Sequence, residues 1–148
     1  MRTRDFIKRS HDRINEGKNK SARCASVFTE GEAVYSYGYH YPLLFVIYTP
    51  GGDRVWVCNN RGYSSTTSKH IAYSAYLADV CAELPRGERY GDHYARTSAY
   101  GIVLEAIKEK KARAIEAMAS KKRKDTQVYR TLEREAEQCE HYIGILEA

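Results

Sequence analysis

The chain has 148 residues, enough for one domain with a substantial core, and its 43% hydrophobic and 29% charged residues exclude a disordered or fibrous protein. Its net charge of +5 resides in residues 1–23, which carry eight Lys/Arg against three Asp/Glu, while the remainder is balanced. The longest strongly apolar run, residues 43–48, is too short to cross a bilayer, and no signal-type apolar segment follows the start RTRDFIKRSHDR, so no membrane contact is expected.

Residues 3–16 predict a short helix, with Thr3 as its cap, Asp5 in the first turn and Phe6, Ile7 and Ile14 as a thin apolar stripe. Gly17-Lys-Asn-Lys-Ser breaks this pattern as a linker. Residues 25–29 predict a short strand, and Glu30-Gly31-Glu32 a turn. Residues 33–41 alternate, which predicts a strand bearing Tyr35, Tyr37, Tyr39 and Tyr41 on one face and Ser36, Gly38 and His40 on the other. Residues 43–48 have the length and continuous apolarity of a central strand covered on both faces. Pro50-Gly51-Gly52-Asp53 is a turn, and residues 54–58 return as the next strand of an antiparallel meander.

Residues 59–63 read as a turn, followed by five consecutive hydroxyl residues, 64–68. Ile71, Ala75, Ala78 and Ala82 share a helical face, predicting a helix over residues 69–84, capped by Thr67 or Ser68 and ended by Pro85-Arg-Gly87. Residues 85–96 read as a loop. Beyond it, Leu104, Ile107, Ala114, Ile115 and Met118 form one helical stripe and Leu132, Ala136, Cys139, Ile143 and Leu146 another. The polar run 120–125 between them predicts a helical hairpin with its tip near Lys122, because folding back lets each stripe bury the other. Neither stripe is wide, which leaves room for a homodimer through these helices. The expected fold class is α+β: a small antiparallel β-meander with a packed helix, followed by a C-terminal antiparallel helical hairpin. The expected division is a basic arm (1–23), a core domain (24–96) and the hairpin (97–148).

Thirteen Tyr against three Phe and one Trp is the unusual feature of the composition. A ladder of Tyr side chains can stack bases, and it can equally pack across a sheet. The hydroxyl run ahead of Lys69 suits a phosphate or carboxylate at a helix N-terminus, or simple capping. Neither G-x-x-x-x-G-K-[ST] nor G-x-G-x-x-G occurs, so no nucleotide cofactor is expected. His40 and His70 can form an acid–base pair for phosphodiester cleavage if strand and helix adjoin, although no carboxylate lies nearby in sequence to orient them. Cys24, Cys58, Cys81 and Cys139 show no C-x-x-C spacing, which predicts cytoplasmic free thiols and no metal site. Cys58 and Cys81 fall on expected buried faces, which argues against an activated nucleophile. The candidate ligand-binding residues are Tyr39, His40, Asn60, Arg61, Tyr63, Thr67, Lys69 and His70. The candidate contacts for a nucleic acid or protein partner are Arg2, Arg4, Lys8, Arg9 and Arg13 in the arm, and Lys121, Lys122, Arg123 and Lys124 at the hairpin tip.

The stretch Tyr37-Gly-Tyr-His-Tyr-Pro42, followed by Asn60-Arg-Gly-Tyr-Ser-Ser-Thr-Thr-Ser-Lys-His70, resembles a motif of small tailed-bacteriophage proteins, across roughly residues 33–75. The resemblance carries no enzymatic activity. It implies a phage-encoded accessory protein in the cytoplasm of the bacterial host, acting in host takeover or as an anti-defence inhibitor such as an anti-CRISPR. With no catalytic constellation present, the expectation is a non-catalytic binder of a host nucleic-acid-handling protein or of nucleic acid itself. A nucleotide-signal-sequestering binder is the alternative, and a metal-independent nuclease using His40 and His70 is a third reading.

Overall fold

The computed structural model describes residues 1–18, 20–62, 64–85 and 96–148. Tyr63 and most of the expected loop over residues 85–96 lie outside the described residues. Helix α1 (Thr3–Asn15) forms where expected, with Phe6, Ile7 and Ile14 buried. Thr3 is not its cap: Arg2 holds that position in extended backbone and makes no side-chain hydrogen bond to the helix. Two strands, β1 (Ala22–Cys24) and β2 (Val27–Glu30), replace the one expected over residues 25–29. They are separated by Ala25, whose φ of 54° is left-handed.

Strand β3 (Ala33–Ser36) ends well short of Tyr41, so the four tyrosines do not form a ladder. Tyr37 turns left-handed (φ 68°), and Tyr41 N–H donates to Gly38 O at 3.1 Å, closing a turn. A Cβ at Gly38 would stand 2.8 Å from the His40 ring nitrogen Nδ1, so any other residue there would push this exposed ring aside. Tyr35 and Tyr41 become buried, and Tyr39 packs edge-on against Phe28 and Tyr35 with ring centres 5.0 and 5.1 Å away. The buried Tyr41 hydroxyl donates to the carbonyls of Asn59 (3.1 Å) and Arg61 (2.6 Å).

Strand β4 (Pro42–Tyr48) is buried from Pro42 through Ile47, as its sequence requires, and β5 (Arg54–Asn59) returns antiparallel to it. Helix α2 (Ser65–Ala75) begins four residues earlier than expected. Ser64 is its cap, its hydroxyl oxygen accepting from Thr67 N–H at 3.1 Å, so the hydroxyl run forms the first helical turn. The helix also ends early, and β6 (Val80–Ala82) takes the place of its expected last turns. Asp79 causes the switch. Its N–H donates to Trp56 O and its carboxylate accepts from Trp56 N–H, both at 2.9 Å, which aligns Val80 with Val57 in parallel.

The strands lie in the order β1-β2-β3-β4-β5-β6, antiparallel except for the last pair. Helices α3 (Arg96–Ala119) and α4 (Gln127–Glu147) form the expected antiparallel hairpin with residues 120–126 at its tip. Lys111 pairs with Glu140, and Tyr100 OH donates to Leu146 O at 2.8 Å. One face of the sheet, with Phe28, Tyr35, Phe45, Ile47 and Val57, packs with Val103, Ile107 and Leu146 of this hairpin. The other face, with Val34, Leu44, Val46, Trp56 and Cys58, packs with Phe6 and Ile7 of α1 and Ile71 and Tyr73 of α2. The fold is thus α+β in three layers, with helix pairs on both sides of the sheet. No helix among the described residues is long and apolar enough to cross a membrane.

Because β4 feeds both cores, truncation on either side should unfold the whole chain. Phe45→Ala should cost about 3–5 kcal/mol and Leu44→Ala about 2–5 kcal/mol. Urea unfolding followed by circular dichroism should show one coincident transition for each variant. Loss of one helix pair with the other intact would contradict a shared core.

Candidate polyanion-binding site

Helices α1 and α2 lie side by side on one face of the sheet, and the groove between them opens beside the β1–β2 turn. This cleft, about 480 Å³, is lined by Arg2, Thr3 and Arg4 from the start of α1 and by Thr66, Lys69, His70 and Tyr73 from α2. Thus Arg2 and Arg4 share one surface with Lys69 and His70, two sets that lie more than sixty residues apart in sequence. The first turn of α1, which has no side-chain cap and carries Asp5, forms part of the same wall.

A second cleft, about 200 Å³, adjoins the first through Met1 and runs along the opposite flank of α1. Arg9, Arg13, Lys18 and Lys20 line it, above an apolar floor of Phe6, Ile14 and Ala22. No Asp or Glu lines either cleft among the described residues. Among these residues, Arg2, Arg4, Arg9, Arg13, Lys20 and Lys69 also take no part in an ion pair, whereas Lys8 is paired with Asp12 (2.7 Å) and Lys18 with Glu16 (3.3 Å). Lys18 and Lys20 are evident in the sequence as part of the basic segment. Their place beside Arg9 and Arg13 depends on the chain turning back after α1.

The remaining candidates are distributed elsewhere. Tyr39 and His40 sit on the exposed turn before β4, where Tyr39 OH is bonded to Glu30. Arg61 is committed to the fold, its Nε–H donating to Leu84 O and its own carbonyl accepting from Tyr41. Thr67 is fully buried within the α2 cap. Lys121, Lys122, Arg123 and Lys124 are exposed at the hairpin tip, in the layer on the other side of the sheet, and Arg123 pairs with Asp125 at 3.2 Å.

His70 is 4% exposed, and its Nδ1 lies 2.8 Å from the hydroxyl of Ser36, which is itself fully buried. A buried serine cannot reach a substrate, so this pair serves as a tether between β3 and α2 rather than a nucleophile and base. The hydroxyl of Ser74, also buried, donates to His70 O at 2.8 Å and extends the tether along α2. Comparison with protein-family models, with curated proteins and with solved structures finds no match.

Burial holds the His70 imidazole below the ordinary histidine range. The unfolded chain takes up this proton near pH 6.5 and the folded chain only at lower pH, so the stability present above that value falls as pH drops through it. The melting temperature should therefore decrease between pH 7.5 and 5.5, with a shallower decrease in His70→Gln. Identical slopes for the two proteins would remove His70 as the source.

Proposed function

We propose that the protein is a non-catalytic nucleic-acid binder whose two cationic clefts hold successive backbone phosphates. The supporting observation is the pair of adjoining grooves lined by Arg2, Arg4, Lys69, Arg9, Arg13, Lys18 and Lys20 with no carboxylate among their described residues. A folded protein ordinarily interleaves charges of both signs, and a one-signed groove with an apolar floor concentrates potential along a line suited to a polyanion. Flexible lysines and forked guanidinium groups contact phosphate oxygens without reading base sequence, so the expected binding is weakly sequence-selective. Together with the phage-like motif around Tyr37 and Asn60, this favours a phage-encoded accessory factor in the host cytoplasm. It would act in host takeover or anti-defence by occupying nucleic acid or by competing for it with a host nucleic-acid-handling protein.

Fluorescence anisotropy with labelled single-stranded and duplex oligonucleotides across 50–200 mM salt tests this reading. The logarithm of affinity should fall linearly with the logarithm of salt concentration. Removing one phosphate-binding side chain should reduce the slope by about 0.9 on duplex or about 0.7 on single strands. Arg2→Ala with Arg4→Ala, or Arg9→Ala with Arg13→Ala, should weaken binding and flatten the slope, whereas Lys122→Ala with Lys124→Ala should change neither. Absence of binding at 50 mM salt, or equal weakening in the tip variant, would contradict the assignment. A mononucleotide bound as tightly as an oligonucleotide would favour the nucleotide-sequestering alternative.

A further inference from the structure

The parallel addition of β6 to β5 places Cys58 and Cys81 directly opposite each other, although twenty-three residues separate them in the chain. Neighbouring strands run about 4.8 Å apart, inside the Cα separation of about 4.4–6.8 Å that a disulfide spans. Register partners in a parallel pair also project to the same face of the sheet. Both thiols are free.

Their surroundings are unequal. Cys58 is completely buried, with its Sγ 3.9 Å from Asn59 O. Cys81 is only partly buried and opens onto a cavity of about 100 Å³ at the edge of β6, lined also by Asn60, Lys110, Gln138, Cys139 and Tyr142. The Asn60 side-chain oxygen is buried without a hydrogen-bond partner among the described residues. The Cys58 and Tyr142 side chains beside it, with Lys110 nearby, outweigh the effect of burial and hold the Cys81 thiol down to about 7, while Cys58 is pushed well above the ordinary thiol range. Of the two positions the sequence placed on buried faces, Cys58 is buried and Cys81 only partly so. No group of three or more His, Cys, Asp or Glu side chains able to hold a metal occurs among the described residues.

We propose that Cys81 is a peroxide-reactive thiol and Cys58 its resolving partner, so that a small hydroperoxide entering the edge cavity closes a Cys58–Cys81 disulfide between β5 and β6. In the first step the Cys81 thiolate attacks one peroxide oxygen. The O–O bond breaks, the alkoxide or hydroxide leaves and takes up a proton, and Cys81 becomes a sulfenic acid. The Cys58 sulfur then attacks the Cys81 sulfur, the S–O bond breaks, and the departing hydroxide combines with the Cys58 proton as water. Two thiols are oxidised by two electrons to a disulfide, and the peroxide is reduced to an alcohol, or water, plus water. The division of roles follows from access: the partly buried sulfur beside the cavity meets the oxidant, and the fully buried one meets only its neighbour. This site lies at the sheet edge and does not depend on the cationic clefts.

The test treats the 148-residue chain with a modest excess of hydrogen peroxide, then alkylates it and maps the peptides by mass spectrometry without reduction. The expected product joins the peptides containing Cys58 and Cys81 within one chain, while Cys24 and Cys139 remain alkylatable. Cys58→Ser should leave a sulfenic acid on Cys81 that dimedone traps, and Cys81→Ser should abolish the reaction. Because Cys58 is in the core, its variant is paired with a measurement on the unaltered protein: the rate of Cys81 alkylation by iodoacetamide should rise to half its maximum near pH 7. Full alkylation of Cys81 after peroxide treatment, a Cys81–Cys139 link, or half-maximal alkylation near the ordinary thiol value of about 8.5 would each overturn the proposal.

Discussion

Leu43, Leu44, Phe45, Val46 and Ile47 are all completely buried, a condition a strand meets only when side chains pack against both of its faces. Phe45 and Ile47 enter one core and Leu43, Leu44 and Val46 the other, so a single six-residue run of apolar chain demands two covering layers. The α3–α4 hairpin supplies one and the α1–α2 pair the other. That demand fixes where the charge can go. α1 must turn Phe6, Ile7 and Ile14 inward, which leaves its arginines on the flanks and brings Arg2 and Arg4 to the side where α2 presents Lys69.

The two helix layers therefore have different characters. The hairpin carries the ion pairs Lys108 with Glu147 and Lys111 with Glu140, and its Lys110 pairs with Glu83 beyond β6. On the other face the cations outnumber their partners, and like charges held side by side oppose folding unless an external anion neutralises them. The buried Ser36–His70 bond holds α2 at the place where this concentration of charge is completed.

Much of this was legible in the sequence. The continuous apolarity of residues 43–48 announced a doubly covered strand, and the two heptad-like stripes around the polar tip announced the hairpin. What escaped reading depended on contacts distant in the chain. Val80-Cys81-Ala82 satisfies a helical stripe as well as a short strand, and only the Asp79–Trp56 bonds decide between them. The Tyr37 left-handed turn carries no residue signature of its own, so perfect alternation through Tyr41 suggested a ladder that the aromatic packing of Tyr39 on Phe28 breaks. Arg61 looked available until its guanidinium met the carbonyl of Leu84. Likewise, the basic arm and Lys69 were each visible, but their union required knowing that α1 and α2 pack together.

On the proposed function, a polyanion lies in the α1–α2 clefts and leaves the hairpin tip untouched. Hydrogen–deuterium exchange of the protein with and without a saturating single-stranded oligonucleotide measures this residue range by residue range. Protection should appear across residues 2–13, 18–22 and 66–73 and be absent from residues 120–126. Protection confined to the hairpin tip, with the α1 and α2 amides unchanged, would contradict it.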